Sequence, residues 1–168
     1  MGIRPEEPAD FDAARRVLER AFPAEGGEAG LVDALRAAGS HVPDLCLVAE
    51  EGGEVVGHLF FSVARLDSGD DVLALAPMAV LPEWQRRGVG SRLIAAGLER
   101  AAATDFPLVV VLGHPEYYPR FGFEPAGAHG VKAPWDVPPE AWMVLRLPAH
   151  RPQARGLVTY APAFDAVT

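Results

Sequence analysis

The chain has 168 residues, 49% of them hydrophobic and 23% charged, which suits a single domain able to bury most of its apolar surface. A formal charge of −8 opposes general binding to nucleic acid or to a membrane surface, since both call for basic patches. The single cysteine, Cys46, excludes an intrachain disulfide and a cysteine cluster for zinc, and no metal is expected.

Residues 1–7 lack the apolar core of a secretory signal, and Glu6 stands where a myristoylation signal requires Ser or Thr. No run approaches the ~20 apolar residues of a membrane span, so a cytoplasmic location is expected. Ile3-Arg4-Pro5 predicts a short first strand, limited by Pro5 and Pro8. From Pro8 or Asp10 a helix follows, with Phe11, Ala14, Val17, Leu18, Ala21 and Phe22 on one face. Pro23 and the Glu25-Gly26-Gly27 turn stop it. A second helix spans about Glu28 to Ala38 and ends at Gly39.

The sheet is expected to begin with Leu45 to Glu50, where Cys46 reads as a buried, inert thiol. Gly52-Gly53 turns the chain into a longer strand, Glu54 to Leu66, and the polar turn Asp67–Asp71 leads into Val72 to Val80. Short turns make these three strands an antiparallel meander. Pro77 inside the third marks a bulge or an edge.

Next comes Trp84-Gln85-Arg86-Arg87-Gly88-Val89-Gly90-Ser91, opening a helix expected to run to about Asp105. A helix start carries unpartnered N–H groups and a partial positive charge. Gly88 and Gly90 remove Cβ atoms there, and Arg86 and Arg87, with Arg92 a turn later, add cations in a chain where positive charge is scarce. The stretch reads as a pyrophosphate cradle, although a plain surface turn would use the same residues. The P-loop sequence Gly-Lys-Ser/Thr is absent, and Leu93 stands where a dinucleotide fingerprint needs its third glycine.

Leu108 to Leu112 is wholly apolar, which predicts a buried strand parallel to the one before the helix. Gly113 to Phe123 is a compact aromatic segment with Phe121 and Phe123 in the core, and Ala141 to Leu147 closes the sheet. Residues 148–168 are proline-rich and weakly patterned, an extension of a domain spanning 1–147, with Val158-Thr159-Tyr160 able to add an edge strand. Lys132 is the only lysine among 15 basic residues, which points to a GC-rich, bacterial genome.

Three features, in this order along the chain, resemble the GNAT family of N-acetyltransferases. Gln85-Arg86-Arg87-Gly88-Val89-Gly90 matches the family's acyl-CoA motif, Gln/Arg-x-x-Gly-x-Gly/Ala. Tyr118-Pro119-Arg120-Phe121-Gly122-Phe123 matches its late Tyr-x-x-x-Gly-Phe signature, and the order of elements over residues 1–147 is similar too. The resemblance implies an α/β fold with a mostly antiparallel sheet, splayed at one parallel strand pair and covered by helices on both faces. It implies acetyl-CoA as co-substrate and a primary amine, on a small molecule or a protein, as acceptor.

The same resemblance implies that backbone groups of Met78, Ala79 and Val80 run beside the pantetheine arm like an added strand. Arg86, Arg87, Gly88, Val89, Gly90 and Ser91 would hold the pyrophosphate. Tyr118 would protonate the leaving CoA thiolate, with Tyr117 the alternative of the pair. For the base, Glu50, Glu51, His58, His114 and Glu116 are candidates by type, and a water chain to bulk would serve equally. His58 lies among apolar strand neighbours and reads better as a packed, hydrogen-bonded histidine. His114 is a candidate catalytic residue, and Gly113-His114 departs from the Asn many family members carry near this point. The acceptor side would be built from Phe22–Gly39 and Gly127–Pro139, where Glu25 and Glu28 could attract a cationic amine and Trp135 adds an aromatic face. A monomer or a homodimer is equally compatible. A non-catalytic acyl-CoA sensor or partner-binding module on the same fold is the alternative.

Overall fold

In the computed structural model the described residues are 1–23 and 26–166, so Glu25 lies outside them. The chain runs β1 (Gly2–Pro5), α1 (Phe11–Ala21), α2 (Glu28–Ala38), β2 (Leu47–Glu51), β3 (Glu54–Leu66), β4 (Asp71–Val80), α3 (Val89–Ala101), β5 (Leu108–Leu112), β6 (Glu124–Pro125), β7 (Val131–Lys132), β8 (Trp142–Arg146) and β9 (Gly156–Thr159). Two compact units share these elements. One holds Met1–Ser62, Ala76–Arg100 and the described stretch from Pro162; the other holds Val63–Leu75 and Ala101–Ala161. Strands β3 and β4 are hydrogen-bonded neighbours, and each contributes residues to both units.

In the first unit β1 pairs antiparallel with β2, and β2 with β3, with a register shift at Ala49/Glu50. The two-residue period of β3 sorts its side chains. Leu59 and Phe61 face α3 so closely that a Cβ on Gly97 would lie 2.6 Å from Leu59 Cδ2 and 2.9 Å from Phe61 Cε2. His58 and Phe60 turn instead toward Arg36 of α2, whose guanidinium lies 5.6 Å from the Phe60 ring and 4.0 Å from the Phe11 ring of α1. Helices thus cover both faces. Helix α2 ends at Gly39, whose left-handed backbone lets Ser40 N–H reach Leu35 O at 3.0 Å.

Two boundaries differ from the sequence expectation. Strand β2 starts at Leu47 rather than Leu45, because Pro43 opens a tight turn in which Leu45 and Cys46 N–H bond Val42 O and Pro43 O. Those donors are spent locally and cannot join the ladder. Helix α3 stops at Ala101 instead of about Asp105. Thr104 donates both its N–H (3.0 Å) and its hydroxyl (2.7 Å) to Ala101 O, turning the chain off the helix axis. Cys46 is fully buried, and burial pushes its thiol up to about 12, in line with the inert thiol expected.

In the second unit β4 runs parallel to β5, with Leu73 opposite Val109 and Ala74 opposite Val110. The parallel register covers those two pairs and ends before the cis Ala76–Pro77 peptide. Strand β8 is antiparallel to β5 and carries β6 on its other side. From the weakly patterned tail, β9 pairs antiparallel with the end of β3, Arg65 opposite Thr159, and the two-residue β7 lies parallel to β9. Trp142 anchors this core, donating its indole N–H to Val131 O at 3.1 Å within a cluster that includes Leu66, Val110, Val144 and Val158. Among the described residues no helix is long and apolar enough to cross a membrane.

Candidate active site

The stretch expected to form the cradle, Trp84–Ser91, lies wholly in the first unit. Pro82–Trp84 make one tight turn, and the chain then reverses with Arg86 at φ 62° and Gly88 at φ 81° before α3 begins. A non-glycine residue held at positive φ costs about 1–2 kcal/mol, and such outliers gather at functional sites. At the start of α3 the Arg92 N–H bonds Gly88 O at 3.0 Å, and helix geometry offers the N–H groups of Val89 and Gly90 no carbonyl one turn back. Gln85 through Gly88 are exposed.

The two glycines of the motif do different jobs. A Cβ on Gly88 would meet nothing within 4 Å, so glycine is required there by the backbone angle, and the space before it is open. A Cβ on Gly90 would lie 3.0 Å from Met78 Cε, so Gly90 makes room for a side chain of β4. Gln85 Nε2 donates to Val80 O at 3.0 Å, pinning the turn to the end of β4. The Arg87 guanidinium sits 5.0 Å from the Trp84 ring centre, while Arg92 reaches Met1 O at 3.3 Å. Glu83, at the base of the turn, is held by both terminal nitrogens of Arg20, each at 2.8 Å.

In the second unit the chain leaves β5 through Gly113 and His114. The N–H groups of Tyr117 and Tyr118 both donate to His114 O, at 3.1 and 3.3 Å, which starts the short helical turn Tyr118–Phe121. Tyr118 is 9% exposed, with its ring edge-on to Tyr117 (5.2 Å) and Phe123 (5.6 Å). Burial, helped by neighbouring Tyr117, pushes its phenol up to about 12. Such a group remains a proton donor throughout the neutral range. Tyr117 is half-buried and packs its ring beneath Arg120 at 4.5 Å. His114 and Glu116 are exposed.

Of the other candidate bases, His58 is fully buried, its Nε2 2.9 Å from Glu6 Oε2, as a packed and hydrogen-bonded histidine should be. Glu50 pairs with Arg4 at 2.9 Å, and Glu51 with the terminal ammonium at 2.9 Å. Sequence reasoning missed the third member of the His58 cluster, Arg36, which grips Glu6 through Nη2 at 2.8 Å and Nε at 3.3 Å. Its signal was available: Arg36 falls four residues after Val32 on the buried stripe of α2. On the side expected for the acceptor, Glu28 has one carboxylate oxygen buried without a hydrogen-bond partner among the described residues, beside a cavity of about 390 Å³ near Leu18, Phe22 and Gly27. The Trp135 ring packs at a tilt of 43° against Tyr160, with ring centres 4.7 Å apart.

A mostly antiparallel sheet with a parallel β4–β5 pair, joined by a helix that opens on an arginine- and glycine-bearing turn, defines the class of GNAT acyltransferases. Residues 11–123 match the acetyltransferase (GNAT) family, and the chain belongs to it as an N-acetyltransferase. It is 43% identical over 148 residues to the uncharacterized N-acetyltransferase YjhQ of Escherichia coli K12, covering 84% of this chain and 81% of that protein. It is 34% identical over 149 residues to the uncharacterized N-acetyltransferase YhbS of the same strain, covering 88% and 87%. The crystal structure of E. coli YhbS in complex with CoA is similar at a TM-score of 0.88 and 33% identity, over 98% of this chain and 91% of that one. A GNAT acetyltransferase from Brucella melitensis in complex with acetyl-CoA has a TM-score of 0.81 at 34% identity, over 98% and 97%.

Proposed function

We propose that this chain binds acetyl-CoA and transfers its acetyl group to a primary amine by direct attack within a ternary complex. The observation that carries the reading is the open turn at Gly88, where the backbone is left-handed and a Cβ would meet no protein atom. Relatives of the same fold, at 33% and 34% identity, were solved in complex with CoA and acetyl-CoA, which supports the same ligand here.

The N–H groups from Arg86 to Ser91 hold the pyrophosphate, with Arg86 and Arg87 supplying charge. Backbone groups of Met78, Ala79 and Val80 bond the pantetheine amides as an added strand would. Gln85 already occupies the Val80 carbonyl from one side, which stiffens that strand end. The acetyltransferase machinery lies within residues 1–147, with 148–168 as an extension.

In the chemical step the amine nitrogen forms a bond to the thioester carbonyl carbon, and the carbon–sulfur bond breaks. Tyr118 donates its phenolic proton to the departing thiolate and is reprotonated, through solvent, by the second proton that the nitrogen sheds as the amide forms. The acceptor enters as an ammonium at neutral pH and must lose a proton before attack. His114, exposed at the end of β5, takes that proton and passes it to bulk water.

The reading is tested by incubating the protein with acetyl-CoA and a panel of amines while thiol release is followed. Amine-dependent release is expected with at least one class of acceptor. No release above hydrolysis across small-molecule, lysine and N-terminal peptide amines would overturn the proposed transfer.

A further inference from the structure

We infer that Gly113 is a positioning residue for Tyr118, the missing side chain at 113 setting where the phenol ring and its hydroxyl sit. The inference rests on the reading of Tyr118 as the proton donor. An ideal Cβ on Gly113 would lie 2.3 Å from Tyr118 Cε2, 2.8 Å from Cδ2 and 3.3 Å from Cζ. Carbon atoms in contact prefer about 3.5–4.0 Å, so the phenol ring occupies the volume of a side chain at 113. Glycine is not demanded there by its own backbone, because Gly113 is not among the residues at positive φ. The ring is the reason for it.

Neither partner can yield cheaply. Gly113 N–H is bonded to Ala141 O at 3.0 Å, which ties it to the residue before β8. Tyr118 N–H is bonded to His114 O, and its ring is wedged edge-on between Tyr117 and Phe123. An added methyl group therefore tilts the ring about a fixed backbone, and the hydroxyl, at the far end, moves most. Misplacing a reacting group by about 1 Å can cost roughly a hundredfold in rate.

The test is a double-mutant cycle with a spectroscopic readout. Gly113→Ala is expected to lower kcat by about ten- to a hundredfold while leaving the CoA dissociation constant within about twofold. In a Tyr118→Phe background the same alanine should change kcat by less than about twofold, because the hydroxyl it displaces is already gone. The Tyr118 Cζ resonance should titrate at about 12 in the parent and closer to ~10 in Gly113→Ala, as the displaced ring gains solvent.

Equal loss of kcat in both backgrounds, or a parent-like kcat and titration in Gly113→Ala, would overturn the inference. Full turnover by Tyr118→Phe alone would instead remove the proton-donor reading, and the titration would then decide the positioning by itself. Where Gly113→Ala does not fold, Gly113→Ala/Tyr118→Ala should melt like Tyr118→Ala; persistence of the defect without the ring overturns the inference.

Discussion

His58 Nε2 lies 2.9 Å from Glu6 Oε2, and the two side chains are 0% and 4% exposed. Arg36 closes the group by gripping both oxygens of the same carboxylate. Three elements meet there: the segment after β1, strand β3 and helix α2. Burial alone would push the Glu6 carboxyl up, but the hydrogen bonds and charges of His58 and Arg36 outweigh it and hold Glu6 below the usual carboxylate range.

This arrangement makes stability depend on acid. A carboxyl depressed in the folded state contributes stability fully present above its unfolded value, about 4.3, and lost as the pH falls through the folded value. Urea midpoints should therefore drop below about pH 4, and Glu6→Gln should flatten that acid limb. At neutral pH Glu6→Ala should cost roughly 3–5 kcal/mol, the penalty for stranding a buried partner charge. A midpoint within experimental error of the parent would show that Arg36 finds water instead.

At the cradle, two substitutions of one glycine separate backbone from ligand. Gly88→Ala and Gly88→Glu both meet the left-handed angle, which costs about 1 kcal/mol, so both should melt slightly lower. Gly88→Glu in addition places bulk and negative charge in the space before the helix. Calorimetric titration should find CoA binding abolished in Gly88→Glu and retained, though weakened, in Gly88→Ala. Parent-like affinity in Gly88→Glu would sink the pyrophosphate assignment.

Tyr118→Phe keeps the packed ring and removes the proton. Turnover should fall by about 10²–10⁴, the usual worth of a general acid, while CoA affinity changes little. With the phenol pushed up to about 12, Tyr118 remains protonated throughout the neutral and mildly alkaline range. The parent kcat should accordingly show no loss attributable to this group below about pH 10. Steady-state rates of the parent across that range provide the check, and undiminished turnover by Tyr118→Phe would exclude Tyr118 as the acid.

Gly97→Ala sets two known effects against each other. Helix propensity favours alanine by about 1 kcal/mol, whereas forcing a methyl into a packed core costs about 1–3 kcal/mol. The added carbon would sit 2.6 Å from Leu59 Cδ2 and 2.9 Å from Phe61 Cε2, both fully buried side chains. Overpacking should win. Chemical denaturation is expected to give a net loss of about 1 kcal/mol, and a gain would mean that Leu59 re-packs freely.

What the chain declares on its own is local. Phe11, Val17 and Leu18 mark α1 by their spacing, Gly39 ends α2, and Gly52-Gly53 folds β2 onto β3, because period and turn chemistry act within a few residues. The turn proposed as the cradle was legible for the same reason, since Gln85 to Gly90 is contiguous and a helix start supplies its own donors. Tertiary structure decided what depends on residues far apart in sequence. Arg36 and His58 converge on Glu6 across 30 and 52 positions, a meeting no periodicity encodes. The tail at Val158 found a place only because the end of β3 offered it a ladder. Gly113 read as a departure from a familiar pattern until the Tyr118 ring was seen to fill the volume of its absent side chain. Local backbone preferences can be read one segment at a time, whereas shared volume and buried charge exist only once the segments meet.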